Sequence, residues 1–381
     1  MPPTHLQHPP GPDRAGEPRE ALDAACRLFE PADGTTYLDS ATYGLPPRTT
    51  LEAMHRALDR WRGGTGHWRL EWERDGEACR GLFADLVGGR PDEVALLPAV
   101  SVASAFAAAA VPKGGEVLVA EGDFTSVLYP FLVAQSRGDL TVREAPAHAL
   151  AESITPRTDL VAFSVVQSGD GQVADLHDIS AAARSHGALV YGDASQALGM
   201  LPIDVHDAGF DVLAAAGYKW LCCPRGAAFL WLRPELNNTL VPLTASWRGG
   251  DDPFGRYYGS PLALADDAAR FNISLAWHVW VGAKASLEVF TSTDAEARFA
   301  RARAAAAVLR ERLDLPDSGS SIVSVPVTES RAAGQILEHA GVRVSVRAGA
   351  IRVSPHFYNT AAEAERIAEL LLPLRTGAPD R

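Results

Sequence analysis

The sequence predicts an α/β protein with a mostly parallel sheet and a smaller α+β unit at its C-terminal end. Three observations carry that expectation. Short apolar runs alternate with helical patterns between about residues 93 and 232, and buried strands alternating with crossover helices build parallel sheets. Near residue 290 this alternation gives way to a long helix followed by short strands and two further helices. The composition, 47% hydrophobic and 22% charged over 381 residues, suits a globular chain of two or three packed units.

Taken in order, "MPPTHLQHPPGPDRAGEPRE" has no apolar core for a signal peptide, and its prolines predict a disordered tail over residues 1–17. Residues 18–35 are expected to pack with the small domain. "TYLD" reads as a short strand at 36–39, and helical patterns cover about 48–62 and 71–88. The runs "EVALLP", "EVLVAEG", "LTVREA", "DLVAFSVVQS", "ALVYGDAS", "DVLAAAG" and "GAAFLWL" read as strands. Between them "SVASAFAAAA", "FTSVLYPFLVAQS" and "DLHDISAAARSHG" read as helices. The large domain is expected over 36–289 and the small one over 290–381, where "DAEARFARARAAAAVLRERLDL", "RAAGQILEHAG" and "TAAEAERIAELLLPL" are helical and "SIVSVPV", "VRVSVR" and "AIRVSP" are strands.

Several partner classes drop out. A formal net charge of −12 without any Lys/Arg block argues against nucleic acid and anionic membrane surfaces. The uncharged stretch "VALLPAVSVASAFAAAAVP" is Ala/Ser-rich with Pro98 near its start, so it reads as a strand and a core helix rather than a membrane span. Four cysteines, two of them the adjacent Cys222 and Cys223, make neither a disulfide framework nor a metal site. A cytoplasmic setting is expected, with no metal.

In open α/β sheets ligands sit beyond the carboxyl ends of the strands. "ALVYGDASQA" delivers Asp193 to such an end and "DVLAAAGYKW" delivers Lys219. A buried lysine loses its charge readily and becomes a nucleophile for Schiff-base chemistry. Pyridoxal 5′-phosphate requires this pair, an amine for its aldehyde and an acid for its ring nitrogen. A helix cap at Ala194 and a snorkelling lysine would account for the same two residues.

The neighbourhood is more specific. "VYGDASQALGMLPIDV…FDVLAAAGYKW…PRGAAFLWL" resembles the class V aminotransferase family, pyridoxal 5′-phosphate enzymes of fold type I that include cysteine desulfurases, isopenicillin N epimerases and cysteine C–S lyases. The resemblance runs from "YLDSATYGLPP" at residue 37 to "IRVSPHFYNTAAEAERI" ending at residue 367. It implies Lys219 as the catalytic, cofactor-binding lysine, Asp193 on the pyridine nitrogen and Gln196 on the phenolic oxygen. Phe124 stands where the family usually stacks a histidine, and a phenyl ring stacks comparably but exchanges no protons. The phosphate would meet the helix N-terminus at Val100 and Ser101, the Tyr218 phenol and, across the interface of a homodimer, Ser274 of the neighbouring subunit.

Arg352, in "GAIRVSPHFYNT", falls where the family grips the amino-acid carboxylate, a task suited to a planar guanidinium. Gln167 falls where the family carries an amide near cofactor and carboxylate. Thr42, Tyr43 and Trp68 are candidates for the substrate entrance, and Trp61 and Trp72 either join them or pack helices. The segment "VRVSVRAGAIRVSP" has no cysteine where desulfurases keep a mobile one. The resemblance therefore implies an enzyme that deprotonates Cα of an amino acid, first as a C–S β-lyase of an S-substituted cysteine, then as an aminotransferase, then as an epimerase. A silent binding protein of the same fold is the non-enzymatic alternative.

Overall fold

The structure is a computed structural model that describes residues 17–376. All but the last residue of the expected tail, 1–17, lies outside the described residues; the last, Glu17, already opens helix α1 (Glu17–Cys26). Strand β1 (Thr36–Tyr37) and helices α2 (Arg48–Arg62) and α3 (Trp72–Val87) follow. The sheet region then runs β2 (Val94–Leu97), α4 (Val100–Ala110), β3 (Gly115–Ala120), α5 (Thr125–Ser136), β4 (Leu140–Ala145), α6 (Leu150–Ser153), β5 (Thr158–Ser164), α7 (Leu176–His186), β6 (Leu189–Asp193), β7 (Val212–Ala216) and β8 (Ala228–Leu232). After a long irregular stretch come α8 (Trp277–Thr291), α9 (Ala295–Arg312), β9 (Val323–Pro326), α10 (Ser330–His339), β10 (Val342–Arg343), β11 (Ser345–Arg347), β12 (Ala350–Val353) and α11 (Ala361–Leu371).

Seven strands form one sheet in the order β2-β8-β7-β6-β5-β3-β4. Strands β7, β6, β5, β3 and β4 are mutually parallel, whereas β8 runs antiparallel to both β7 and β2. The sheet is α/β and mostly parallel, as expected, with one reversed strand that follows β7 through a short turn rather than a helix. Side chains alternate between two cores as strand geometry requires. In β7, Leu213 and Ala215 face one core with Phe83, Phe229 and Trp280, while Val212, Ala214 and Ala216 face the other with Phe106, Phe271 and Leu160.

The C-terminal strands form a separate antiparallel sheet, β11-β12-β9, packed with α9, α10 and α11 around Leu309, Val325, Leu337, Ile351 and Ile367. Strand β1 pairs with β10, and Asp39 bridges to Ser354. The segment expected to open the large domain at residue 36 is thus hydrogen-bonded to β10 and to the residue that follows β12. Helix α8 had no counterpart among the elements expected from the sequence. It covers α2 and α3 through Trp280, Val281 and Leu287, and its apolar residues lie almost all round, which blurs the helical period.

Candidate active site

Four adjacent parallel strands end at one crevice and each delivers polar groups to it. Beyond β3 come Asp123 and Phe124, β5 ends in Ser164 with Gln167 three residues on, β6 ends in Asp193, and the turn after β7 carries Lys219. The small domain adds Arg352 from β12, and the segment after β1 adds Thr42 and Tyr43.

Lys219 is 6% exposed, and its Nζ makes no hydrogen bond or ion pair among the described residues. Its Nζ lies 5.1 Å from the centre of the Phe124 ring and 6.0 Å from that of Tyr218. Burial lowers its pKa from 10.5 to about 8; Asp193 opposes the shift, while Arg352, Arg347 and Arg225 add to it. The turn that presents it is held on several sides. Cys222 N–H donates to the Lys219 carbonyl at 3.1 Å, Cys223 N–H donates to Gly217 at 2.9 Å, and Gly44 N–H donates to Tyr218 at 2.8 Å. Cys222 itself takes a left-handed φ of 51°, a conformation non-glycine residues adopt at a cost. A Cβ on Gly44 would stand 2.0 Å from the Lys219 carbonyl oxygen, so only glycine fits there.

Asp193 is buried, and that burial pushes its carboxyl pKa up against the pull of Lys219. Its Oδ1 accepts from Ser195 N–H at 2.8 Å, but the residues after it form a turn and not the helix that the capping alternative requires, while Oδ2 accepts no hydrogen bond among the described residues. Gln196 is buried with both ends of its amide engaged, Oε1 by Trp220 and Nε2 by the Ala41 carbonyl. Tyr218 is half-buried, and burial raises its phenol pKa.

Arg352 is 1% exposed; it donates through Nη1 to Ser168 O and through Nη2 to Thr42 Oγ1, both at 2.6 Å. Among the described residues its Nε is buried without a hydrogen-bond partner, as is Asp39 Oδ1, which lies 3.9 Å from Arg352 Nη2. Buried polar groups are normally satisfied, so this open donor edge fits a carboxylate supplied from outside. Burial and the neighbouring Arg347 charge lower the Arg352 pKa to about 10. Arg347, which did not stand out in the sequence, donates to the same Thr42 Oγ1 at 3.2 Å from the hairpin that joins β11 to β12.

Asp123 did not stand out either. Its buried carboxylate accepts from Phe124 N–H at 2.6 Å, Ser164 N–H at 2.7 Å, Ser164 Oγ at 2.5 Å and Gln167 Nε2 at 3.5 Å. It therefore fixes both Phe124, which is 44% exposed, and the half-buried Gln167. The only signal for it was position, an acid just beyond a strand end.

Val100 and Ser101 open α4, and the preceding Ala99 offers no side-chain cap, so the first amide groups of the helix stay open to an anion. Tyr43 is 45% exposed, its ring 6.1 Å from that of Tyr218. Trp68 and Ser274 are not part of this group. Trp68 stacks on Trp277 at 5.3 Å and meets Trp247 and Phe254, and Ser274 Oγ accepts from Trp247 Nε1 at 2.9 Å. Trp72 packs on Trp277 and His278, and Trp61 on His278.

A buried amine without a partner, a buried carboxylate with a free oxygen, an aromatic face and an uncapped helix N-terminus fit pyridoxal 5′-phosphate group by group. No group of three or more His, Cys, Asp or Glu side chains among the described residues is placed to hold a metal ion. No described helix is long and apolar enough to cross a membrane.

Comparison with known proteins points the same way. The family model "Aminotransferase class-V" matches residues 36–367. The chain is 31% identical over 317 residues to the "Uncharacterized aminotransferase YcbU" of Bacillus subtilis, covering 78% of this chain and 83% of that one. It is 30% identical over 301 residues to a kynureninase of Deinococcus radiodurans, covering 72% of each. Among solved structures, a complex of the cystine C–S lyase C-DES with cysteine persulfide superposes with a TM-score of 0.82 at 21% identity, over 91% of this chain and 99% of that one; at that identity the likeness speaks for the fold.

Proposed function

The chain belongs to the class-V aminotransferase family, the pyridoxal 5′-phosphate enzymes of fold type I, and from that premise we propose that it is a C–S β-lyase acting on an S-substituted cysteine. The observation that carries this reading is the pairing of a buried base with a buried carboxylate grip beside a hairpin that holds arginine and no thiol. Residues 342–355, "VRVSVRAGAIRVSP", contain no cysteine, so the hairpin has no group to receive sulfur as a persulfide.

When bound, the cofactor supplies an electron sink that acidifies the substrate's Cα–H. Lys219 holds it through Nζ and Asp193 keeps its ring nitrogen protonated through Oδ2. Phe124 covers the ring face; Val100, Ser101 and Tyr218 meet the phosphate. Arg352 binds the α-carboxylate through its open Nε edge, in a fork that fixes orientation, with Gln167 alongside and Thr42, Tyr43 and Arg347 at the entrance. Lys219 Nζ would be the general base placed to take the Cα proton of a bound amino acid. Phe124 cannot share that work, and the raised pKa of Tyr218 keeps its phenol protonated. For an S-substituted cysteine, loss of the Cα proton and of the β-thiolate, with uptake of one water, would balance as one thiol, one pyruvate and one ammonium ion.

The protein is read as a homodimer of the cytoplasm. Exposed Tyr129, Val133 and Leu243 line a groove of about 700 Å³ that also includes Ser101, a surface suited to cover by a second copy. Ser274, itself exposed beside the half-buried Trp247, would reach the neighbour's phosphate. Trp68, in the same cluster, would act on the substrate only in that way.

An aminotransferase is the second reading, favoured by the name of the B. subtilis relative. Single-turnover absorbance with S-alkyl and S-aryl cysteines, alongside assays for thiol, pyruvate and ammonia, separates the two. Equimolar thiol and pyruvate with the cofactor returned to its lysine-bound form support the lyase. Conversion of the cofactor to its amine form without thiol release supports the aminotransferase instead.

A further inference from the structure

We propose that Trp220 is a positioning residue that locks Gln196 as a hydrogen-bond donor toward the cofactor's phenolic oxygen, an inference that rests on the cofactor reading given above. A glutamine amide presents an acceptor at one end and a donor at the other, and nothing in the side chain itself decides which end faces which neighbour. Here two neighbours of fixed and opposite polarity decide it. The Trp220 indole N–H can only donate, and it lies 2.8 Å from Gln196 Oε1. The Ala41 carbonyl can only accept, and it lies 2.9 Å from Nε2. Both contacts demand the same orientation, and Gln196 is only 5% exposed, so water cannot substitute for either partner.

One Nε2 proton remains without a partner among the described residues. It belongs to the turn that follows Asp193, and it can be offered only to an acceptor. The indole is itself immobile. Trp220 is 1% exposed, its ring packs 5.5 Å from that of His356, and its carbonyl accepts from His356 Nε2 at 2.9 Å. The His356 tautomer is equally fixed, because Nδ1 accepts from Phe357 N–H at 2.9 Å and so leaves Nε2 as the donor. Consecutive residues of one turn therefore serve the two ends of the cofactor's reactive edge: Lys219 supplies the amine and Trp220 sets the donor beside it.

The test uses the full-length protein with Trp220→Phe, Gln196→Ala and the double variant. Two quantities are read: the Kd for pyridoxal 5′-phosphate from equilibrium dialysis, and the pH midpoint of the visible band of the loaded protein. Loss of a fixed donor should weaken cofactor binding by roughly 5-fold in Trp220→Phe and move the midpoint upward, since the phenolate loses stabilisation. In the Gln196→Ala background Trp220→Phe should add less than about 2-fold, the non-additivity of residues acting in series. Thermal unfolding of the cofactor-free proteins reads any purely structural effect separately, and Gln196→Glu gives a second route. Its carboxylate still accepts from the indole but cannot donate, so it should resemble Gln196→Ala in Kd. Additive effects of the two substitutions, or a Trp220→Phe protein with reduced thermal stability but unchanged Kd and midpoint, would overturn the proposal. A wild-type protein that forms no visible band would overturn it too, by removing the cofactor reading beneath it.

Discussion

Removing single charges around Lys219 should move its proton affinity in directions that the geometry fixes. Burial brings the amine from 10.5 to about 8, with Asp193 pulling upward and Arg352, Arg347 and Arg225 pushing down. That difference is worth about 3 kcal/mol against the ammonium form. At pH 7.5 it leaves about one-quarter of the amine neutral, against roughly 0.1% for an ordinary lysine, a gain of a few hundred-fold in nucleophile. The chain has three lysines, and Lys113 is exposed, which makes it an internal standard. Competitive acylation of the cofactor-free protein between pH 6 and pH 11, read by peptide mass spectrometry, should give Lys219 a midpoint near 8. Asp193→Asn removes an anion and should lower the midpoint; Arg352→Gln removes a cation and should raise it. Because the folded pKa lies below the unfolded one, the penalty is present in full below pH 8 and fades as pH rises toward 10.5. Lys219→Met should therefore stabilise the cofactor-free protein at neutral pH by up to about 3 kcal/mol, less whatever Asp193 loses with its counter-charge. A wild-type midpoint near 10, or the reverse ordering of the two variants, would show that burial does not set the proton affinity of Lys219.

Three further outcomes follow from single contacts. His356 is fully buried and its pKa falls from 6.5 to about 3 through burial, so its contribution to stability is present above pH 6.5 and lost as pH falls. Denaturant titrations should show about 1.4 kcal/mol lost per pH unit below that point, a component of the acid slope that His356→Phe removes. Gly44→Ala would drive a Cβ to 2.0 Å from the Lys219 carbonyl, and the forced displacement should cost about 2–3 kcal/mol by denaturation and weaken cofactor retention. Arg352→Lys keeps the charge but loses the fork, so KM for an amino-acid substrate should rise by about 10-fold or more; Arg347→Gln, at the more exposed position, should show a smaller rise.

Much of the architecture was legible because strand and helix periods are local properties. The runs ending at Asp193 and Ala216 read as buried strands, and both are. What stayed hidden was long-range. No local pattern announces that β8 runs antiparallel, or that residues 36–37 leave the large domain to pair with β10. Helix α8 was masked because its apolar residues cover both the α2 and α3 sides. In the site, Lys219, Asp193 and Arg352 stood out because a charged side chain at a buried strand end, or inside a recognisable motif, is rarely there for packing alone. Asp123, Trp220 and Arg347 did not, since their roles come from partners 24 to 305 positions away, such as Gln196, Gln167 and Thr42. Trp68 looked like an entrance residue by position and instead stacks on Trp277, an arrangement that only α8 makes possible.

In the proposed function Lys219 is the residue to which pyridoxal 5′-phosphate attaches. Borohydride reduction of the loaded protein followed by peptide mapping tests it most directly. A single reduced adduct is expected on the peptide containing Lys219, absent from Lys219→Ala together with the visible band. An adduct on Lys113 or Lys284, or an identical adduct in wild type and Lys219→Ala, would contradict it.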